Sequence, residues 1–192
     1  MTKRELRKIF AQRRQNLSAL QVAEQSETIA QRFFAGFDVE NTKAVHCFLP
    51  IRRQNEVDVF RLIYPIQERF LKTQVVVPRV VPDSQQLEHY LWTSDIKLEL
   101  NRWGILEPDP TSCLQHPLSN VQIVIIPLLA FDRKGHRVGY GQGFYDRFLA
   151  SLRPDVKKIG VSFFEPVERI DDTDGFDIRL DYCLTPNKVW KF

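Results

Sequence analysis

The chain has 192 residues, of which 43% are hydrophobic and 27% are charged, a composition typical of soluble globular proteins and unlike that of disordered ones. Its longest apolar run, residues 123–131, is about half as long as the roughly 18 residues that a membrane span needs. Its three cysteines form no C-x-x-C pair, and no apolar leader follows the first residues. These features predict a cytoplasmic protein with reduced thiols.

The basic residues are unevenly distributed. The first 14 residues hold six of the 27 basic residues but only one of the 24 acidic residues, so the rest of the chain is slightly acidic. Nucleic-acid-binding domains more often spread basic residues over a whole face. The basic segment suits a compact polyanion such as a nucleoside triphosphate. From charge alone, however, a solvated helix face is the favoured interpretation.

Two helices are predicted at the beginning of the chain. Thr2 with Glu5, and Ser18 with Gln21, each match the capping-box pattern that marks a helix N-terminus. Apolar residues recur at helical spacing after each of these pairs. Gly36 supplies a stop for the second helix, because glycine readily adopts the conformation that ends helices.

Strands and helices alternate along the rest of the chain. Strands are predicted at residues 44–49, 74–77, 121–126, 158–164 and 182–184, with a weaker strand or edge hairpin over 89–100. Helices are predicted at residues 57–71 and 144–152, and turns over 103–117. The continuous β-branched run at 121–126 is typical of a strand covered on both faces. Pro50 and Pro78 are expected to end the first two strands.

This alternation predicts an α/β fold, a three-layer α/β/α domain with an open and mostly parallel sheet. No repeat, low-complexity tract or linker divides the sequence. We therefore predict a single domain over residues 1–192, in which a helical N-terminal segment, residues 2–36, packs on the α/β core.

A glycine-rich segment follows the strongest predicted strand, where open α/β sheets place ligands. Gly139, Gly141 and Gly143 form G-x-G-x-G just before a predicted helix. Glycines permit positive φ and let amide groups approach phosphate oxygens, and the helix start adds unpaired donors. The spacing matches neither the dinucleotide fingerprint nor a Walker A loop. From the glycines alone, a phosphate cradle and a tight turn are equally good interpretations.

The longer string from Ala130 to Arg147, A-F-D-x-x-G-x-R-V-G-x-G-x-G-F-Y-D-R, resembles the signature of the 5-formyltetrahydrofolate cyclo-ligase family, also called 5,10-methenyltetrahydrofolate synthetases. Further segments resemble family elements in the same order: K-R-E-L-R at 3–7, N-E-V-D at 55–58, G-I-L-E-P at 104–108 and F-D at 176–177. The resemblance spans essentially the whole chain. It implies ATP- and Mg²⁺-dependent closure of 5-formyltetrahydrofolate to 5,10-methenyltetrahydrofolate through a phosphorylated formyl group, an imidate phosphate, with release of ADP and phosphate.

The resemblance also implies a set of nucleotide-side residues. The implied ATP-binding residues are Lys3, Arg4, Arg7, Arg137, Gly139, Gly141, Gly143 and Tyr145. Lys3 and Arg7 are four residues apart on a predicted helix and therefore share a face. For Tyr145, an ordinary core aromatic is the alternative. The implied catalytic residues are Arg7, Arg137 and Asp146, and Arg147 is given a supporting role.

Metal and folate residues follow from the same motifs. Asp146 and Asp177 are the implied Mg²⁺ ligands; the alternatives are a helix N-terminal carboxylate for Asp146 and a solvated acid for Asp177. The implied substrate-binding residues are Arg7, Ile51, Glu56, Tyr140 and Phe144. A carboxylate such as Glu56 suits the 2-amino and ring N–H groups of a pterin, although a helix N-terminal acid is the alternative.

Two hypotheses therefore stand at this stage. The first is the cyclo-ligase, with 5-formyltetrahydrofolate and ATP as partners, neither nucleic acid nor membrane as a partner, and a monomeric or weakly homo-oligomeric state. The second is a non-catalytic nucleotide- or RNA-binding module that uses the basic N-terminal arm. The first requires Lys3 and Arg7 to face the turn at residues 139–146 across a shared cavity.

Overall fold

The computed structural model describes residues 1–102 and 104–192. In these residues the helices are α1 (Lys3–Gln15), α2 (Ala19–Gly36), α3 (Phe60–Arg69) and α4 (Phe144–Ala150). The strands are β1 (Ala44–His46), β2 (Gln74–Val80), β3 (Leu87–Leu91), β4 (Leu98–Leu100), β5 (Leu106–Pro108), β6 (Val121–Pro127), β7 (Ala130–Phe131), β8 (Arg137–Val138), β9 (Lys157–Val161), β10 (Tyr182–Leu184) and β11 (Val189–Lys191). Two short 3-10 helices lie at Arg52–Gln54 and Leu118–Asn120.

The main sheet has seven strands in the order β11-β10-β9-β6-β1-β2-β3. The strands from β10 to β2 in that order pair in parallel, and the two edge strands pair antiparallel to their neighbours. The chain builds outward from β1 to one edge and from β6 to the other. The strand order therefore reverses between β1 and β6, which makes their carboxyl ends the natural crevice of the sheet.

Strand β6 shows how the three layers are held together. Its residues alternate between the two faces of the sheet, and all of them from 123 to 126 are buried. Ile123 and Ile125 join the core under α2 and α3. Val124 and Ile126 join the second core, under α4. The predicted α/β/α arrangement, with a mostly parallel sheet and a central strand covered on both faces, is confirmed.

Helix α1 lies against a small ribbon outside the main sheet. Both predicted capping boxes form, so α1 and α2 begin directly after Thr2 and Ser18. Leu6 and Phe10 of α1 pack in a third apolar cluster that includes Val138 of the β7–β8 ribbon. This packing fixes the other face of α1 toward the residues that follow β8.

Several predicted boundaries are wrong. Strand β1 ends at His46, well before Pro50, and α3 is shorter at both ends than the predicted 57–71. Strand β2 runs through Pro78 to Val80, where it pairs with β3, although Pro78 was expected to end it. Strand β1 pairs with β2 only as far as Val76. Beyond that point Pro78 has no ladder partner on the β1 side, so its missing N–H costs no hydrogen bond.

The predicted hairpin over residues 89–100 is divided between two sheets. Strand β3 forms the edge of the main sheet, whereas β4 pairs with β5 in a separate ribbon. Strand β5 lies within the stretch 103–117 that was predicted to be turns, and Trp103, the first residue of that stretch, lies outside the described residues. The unpredicted strands β7, β8 and β11 have only two or three residues, too few to show a periodicity.

Other observations bear on the remaining expectations. Cys47, Cys113 and Cys183 are unpaired, and two of them are buried. In the described part of the chain, no helix combines the length and the apolar character needed to cross a membrane. The assignment of residues 1–192 to one domain stays a prediction.

Candidate active site

A large cavity opens at the carboxyl ends of the central parallel strands. Its volume is about 1110 Å³, and its walls include Phe48 after β1, Pro78 in β2 and Pro127 at the end of β6. Open α/β sheets bind their ligands at this edge, at the point where the strand order reverses. The topology therefore places the cavity where a ligand is expected, and its size suits more than one small molecule.

One wall of the cavity joins α1 to the glycine turn. The Nε of Arg7 donates a hydrogen bond to the carbonyl oxygen of Gly139 over 2.9 Å. Gly141 and Gly143 have φ of +96° and +72°, a region in which glycine is strongly favoured. A Cβ atom would lie 3.3 Å from the Arg7 guanidinium at Gly141 and 2.7 Å from Nη1 of Arg147 at Gly143. The turn therefore needs glycine at these two positions to bring both arginines close to the backbone.

Two ion pairs face the same wall. Arg137 is buried and its Nη2 lies 2.6 Å from Oδ1 of Asp146, while Nη1 donates to the carbonyl oxygen of Ile178. The Nζ of Lys3 lies 2.7 Å and 2.6 Å from the two carboxylate oxygens of Asp177. Burial lowers the pKa of Lys3, but the hydrogen bonds and charge of Asp177 outweigh this effect and raise it. Lys3 and Asp177, which lie 174 positions apart, thus meet at the same wall as Arg137 and Asp146.

The same cavity is also lined by a buried acid. Glu56 is 5% exposed, its Oε2 accepts a hydrogen bond of 2.6 Å from the amide of Ile51, and its Oε1 accepts one from the hydroxyl of Tyr140. Burial raises the pKa of Glu56, and the positive charge of Arg14 opposes this rise. Ile51 and Tyr140, two of the other implied folate residues, are therefore both hydrogen-bonded to Glu56.

Tyr145 combines the two interpretations that the sequence left open. Its ring lines the cavity and also packs against both apolar cores of the sheet. Its hydroxyl is buried without a hydrogen-bond partner in the described residues, and burial raises its pKa. A ligand that accepts a hydrogen bond would satisfy this hydroxyl.

The structure brings together every implied site residue except one. The residues that line the cavity are Lys3, Arg7, Ile51, Glu56, Arg137, Gly139, Tyr140, Gly141, Gly143, Phe144, Tyr145, Asp146 and Asp177. Arg4 is exposed and is not among the lining residues, because consecutive residues on a helix point about 100° apart. The individual roles of these residues stay predictions.

Three further residues of the site were missed in the sequence. Arg14 is buried beside Glu56, and its spacing of seven residues from Arg7 on α1 is a signal that could have found it. Glu107, also buried, accepts a hydrogen bond from the amide of Val80 on the cavity wall. Phe176 stands 87% exposed among the lining residues, and the F-D match at 176–177 implied a role for Asp177 only.

The residues can contribute to a Mg²⁺ site but cannot build one alone. Asp146 and Asp177 offer hard carboxylate oxygens on one wall, and the amide of Ile178 donates to Asp146 over 3.2 Å. Within residues 1–102 and 104–192, no three His, Cys, Asp or Glu side chains group as metal ligands. This donor set fits Mg²⁺, which commonly takes one or two carboxylates and completes its octahedron with phosphate and water.

The histidines lie outside this cavity. His46 and His89 are neighbours whose Nε2 and Nδ1 atoms lie 3.1 Å apart beneath Phe148 of α4. Burial lowers the pKa of His89 to about 4. Neither histidine is a lining residue of the cavity, so the pair belongs to the packing of α4.

The α/β domain has a large cavity at the reversal of its strand order, lined by a glycine turn that cations face and by a buried carboxylate. Such a site is typical of an enzyme that binds and converts a ligand. The model of the 5-formyltetrahydrofolate cyclo-ligase family matches residues 1–186. The chain belongs to the 5-formyltetrahydrofolate cyclo-ligase family, and it is therefore an enzyme of the ligase class.

Relatives and solved structures agree with this assignment. The 5-formyltetrahydrofolate cyclo-ligase of Escherichia coli K12 is 30% identical over 189 residues, covering 96% of this chain and all of that protein. The mouse enzyme of the same name is 29% identical over 192 residues, covering 95% of this chain and 92% of the relative. The 5,10-methenyltetrahydrofolate synthetase of Aquifex aeolicus superposes with a TM-score of 0.82 at 29% identity, covering 100% of this chain and 93% of that one. The Mycoplasma pneumoniae synthetase, at 23% identity and a TM-score of 0.74 over 96% and 98% of the two chains, shares the fold.

Membership of an enzyme family excludes the non-catalytic module as the function of this chain. The geometry of α1 agrees, because Lys3 and Arg7 face the cavity and Arg14 is buried. Half of the basic residues of the N-terminal arm are therefore turned inward and do not form a solvated surface.

Proposed function

We propose that the enzyme catalyses the ATP- and Mg²⁺-dependent cyclisation of 5-formyltetrahydrofolate to 5,10-methenyltetrahydrofolate, releasing ADP and phosphate. The observation that carries this proposal is a single cavity with two chemically different parts. The part formed by α1 and the glycine turn, here called the nucleotide end, suits a triphosphate, and the part around Glu56, here called the folate end, suits a planar group with paired N–H donors.

The reaction needs phosphate chemistry because a formamide is a poor electrophile. In the proposed path the formyl oxygen attacks the γ-phosphorus of ATP, and the bond to the β-phosphate oxygen breaks to release ADP. The resulting imidate phosphate carries a good leaving group on the formyl carbon. N10 then adds to that carbon and loses its proton, and phosphate departs as the five-membered ring closes.

The lining residues support the charge neutralisation and positioning that phosphoryl transfer demands of a protein. Lys3, Arg7 and Arg137 bring positive charge to the wall formed by the glycine turn. Lys3 and Arg137 are paired with Asp177 and Asp146. We propose that these two cations turn to the phosphate oxygens when nucleotide binds, and that their former partners then face the metal ion.

Asp146 and Asp177 would hold the Mg²⁺ together with oxygens of the nucleotide. When bound, the ion supplies positive charge that neutralises the phosphate oxygens during transfer. Glu56 would orient the substrate from the folate end of the cavity, so that the formyl oxygen lies toward Lys3, Arg7 and the glycine turn. We place the reaction in the cytoplasm, since the three cysteines are unpaired thiols.

The test is an absorbance assay for methenyltetrahydrofolate with purified protein and 5-formyltetrahydrofolate. We expect product only when ATP and Mg²⁺ are both present, and we expect chelation to stop turnover reversibly. Quantitation of ADP should give one equivalent per product formed. Purified, folded protein that forms no product under these conditions contradicts the proposal.

A further inference from the structure

A buried arginine lies behind the acidic end of the cavity. Arg14 is 5% exposed and its Nη2 donates a hydrogen bond to the hydroxyl oxygen of Tyr140. Its guanidinium carbon lies 5.5 Å from the centre of the Tyr140 ring. Its Nη1 reaches the carbonyl oxygen of Leu128 at 3.5 Å, and its buried Nε has no partner among the described residues. Burying the charge of an arginine with so few hydrogen-bond partners lowers the stability of the fold unless an anion lies nearby.

That anion is Glu56, and the directions of the hydrogen bonds around it favour the ionised form of its carboxyl group. Arg14 has no acceptor atom, so the Tyr140 oxygen must accept from it. The single hydroxyl proton of Tyr140 then points to Oε1 of Glu56. Oε2 already accepts from the amide of Ile51. Both carboxyl oxygens of Glu56 therefore accept hydrogen bonds within the protein, and the ionised form satisfies this arrangement without needing an acceptor for a proton of its own.

Few other charges face this carboxylate. Tyr140 reaches it from the glycine turn, Arg14 from α1 and the Tyr145 hydroxyl from α4, while the chain around the first 3-10 helix contributes only the Ile51 amide. Among the described groups acting on Glu56, Arg14 supplies the positive charge. Its guanidinium also holds the Tyr140 hydroxyl in the orientation that donates to Glu56.

We propose that Arg14 is a positioning residue for folate recognition, which keeps Glu56 ionised and fixed through Tyr140. An ionised Glu56 offers only acceptors to the cavity, and so selects a ring with two adjacent N–H donors such as the amino-pyrimidinone of a pterin. A protonated Glu56 would turn a donor toward those donors and would reject the ring. This inference rests on the proposed function, because it takes the folate as the ligand of Glu56.

The test compares wild type with Arg14→Met, Arg14→Lys and, as matched control, Arg13→Met on the exposed face of the same helix. KM for 5-formyltetrahydrofolate, KM for ATP and kcat are measured between about pH 6 and pH 8. Removing the charge lets burial raise the pKa of Glu56 further, so its protonated fraction grows as the pH falls. For R14M we expect a folate KM raised roughly tenfold or more at the acid end and less at the alkaline end. The kcat at saturating folate and the KM for ATP should stay within about threefold of wild type.

The lysine variant distinguishes a charge effect from a packing effect. R14K keeps the cation and should retain a folate KM nearly independent of pH, and R13M should match wild type throughout. A folded R14M with the wild-type pH profile would overturn the proposal. So would a loss confined to kcat or equal at all pH values, since either result assigns Arg14 a structural role only.

A second measurement does not depend on turnover. The ionisation of Glu56 can be followed by NMR of carboxyl-¹³C glutamate, with the signal assigned from Glu56→Gln. We expect the Glu56 signal to titrate at higher pH in R14M than in wild type, and Tyr140→Phe serves in its place if R14M does not fold. An unchanged titration contradicts the proposal. Wild-type protein without activity, by contrast, contradicts the proposed reaction, and the titration then still decides the role of Arg14.

Discussion

The two ends of the cavity treat charge in opposite ways. At the nucleotide end, Lys3 and Asp177 are only partly buried, and the Arg137–Asp146 pair combines a buried guanidinium with a half-exposed carboxylate. At the folate end, Glu56 is buried and both of its oxygens are already hydrogen-bonded within the protein. The charges of the first end are the ones proposed to exchange partners, whereas the charge of the second end is held by hydrogen bonds within the protein.

This difference matches the two kinds of ligand that the cavity is proposed to bind. A triphosphate arrives with its own charge and its own metal ion, so the protein needs mobile countercharges at that end. A pterin ring is neutral and planar, so its recognition depends on fixed acceptors in a defined geometry. The comparison predicts that variants at the nucleotide end change turnover, and that variants at the folate end change substrate affinity.

The largest effect is expected at the nucleotide end from Asp146→Asn. The amide oxygen can still accept from the Ile178 amide, so the fold should persist while Arg137 and the proposed Mg²⁺ lose an anionic partner. We expect kcat to fall by roughly 10²- to 10³-fold, as when a charge-stabilising group is lost from an active site. Turnover at saturating ATP and Mg²⁺ measures this. Asp155→Asn, in an exposed pair with Arg153, is the matched control. An unchanged kcat would remove Asp146 from the proposed site.

At the folate end, Glu56→Gln should mainly raise KM. Hydrogen bonds to a charged partner are worth about 1.5–3 kcal/mol, so the KM for 5-formyltetrahydrofolate should rise roughly 10- to 100-fold. The kcat and the KM for ATP should change little. Steady-state kinetics with each substrate varied in turn measures the split, with the exposed Glu68→Gln of α3 as control. A fall in kcat at unchanged KM would abolish the proposed contrast between the two ends.

A smaller effect is expected from Gly143→Ala. The added Cβ would stand 2.7 Å from Nη1 of Arg147, at a φ of +72° that costs an alanine about 1–2 kcal/mol. We expect lower thermal stability and a KM for ATP raised roughly threefold to tenfold. Gly139→Ala should do less, because no atom lies within 4 Å of its Cβ position. Equal effects at both positions would show that strain at Gly143 is not what matters.

The smallest effect is expected from Thr2→Ala, which removes the cap of α1. The lost hydrogen bond to Glu5 should lower the free energy of unfolding by about 1 kcal/mol. Since α1 carries Lys3 and Arg7, a small rise in the KM for ATP should accompany it. Ser18→Ala removes the equivalent cap of α2, which contributes none of the described lining residues, and should lower the melting temperature without affecting KM. If both variants affect KM equally, the position of α1 is not set by its cap.

Local signals predicted the fold well where one residue acts on its neighbours. The caps at Thr2 and Ser18 act over three residues, and the apolar run of β6 records burial on both faces. Strand ends depend instead on the neighbouring strand, which is why Pro78 misled the prediction for β2. The ribbon β7–β8 is too short for any pattern to show.

The candidate site, too, could be predicted only where a local motif marked its residues. Most of its residues came from motifs whose resemblance to a family carried the information that spacing alone lacked. Arg14 was missed because its partner, Tyr140, lies 126 positions away. Its spacing of seven residues from Arg7 places it on the same face of α1, but this spacing does not show which ligand or residue that face meets.

The contact between Lys3 and Asp177 joins residues 174 positions apart. During synthesis α1 emerges long before its partners at residues 170–177 leave the ribosome. Until then Leu6 and Phe10 lack part of the apolar cluster that covers them, including Ile170. A product truncated before residue 170 would therefore expose the apolar face of α1 and would lack Asp177 at the nucleotide end of the cavity. Such fragments should be inactive and prone to capture by chaperones.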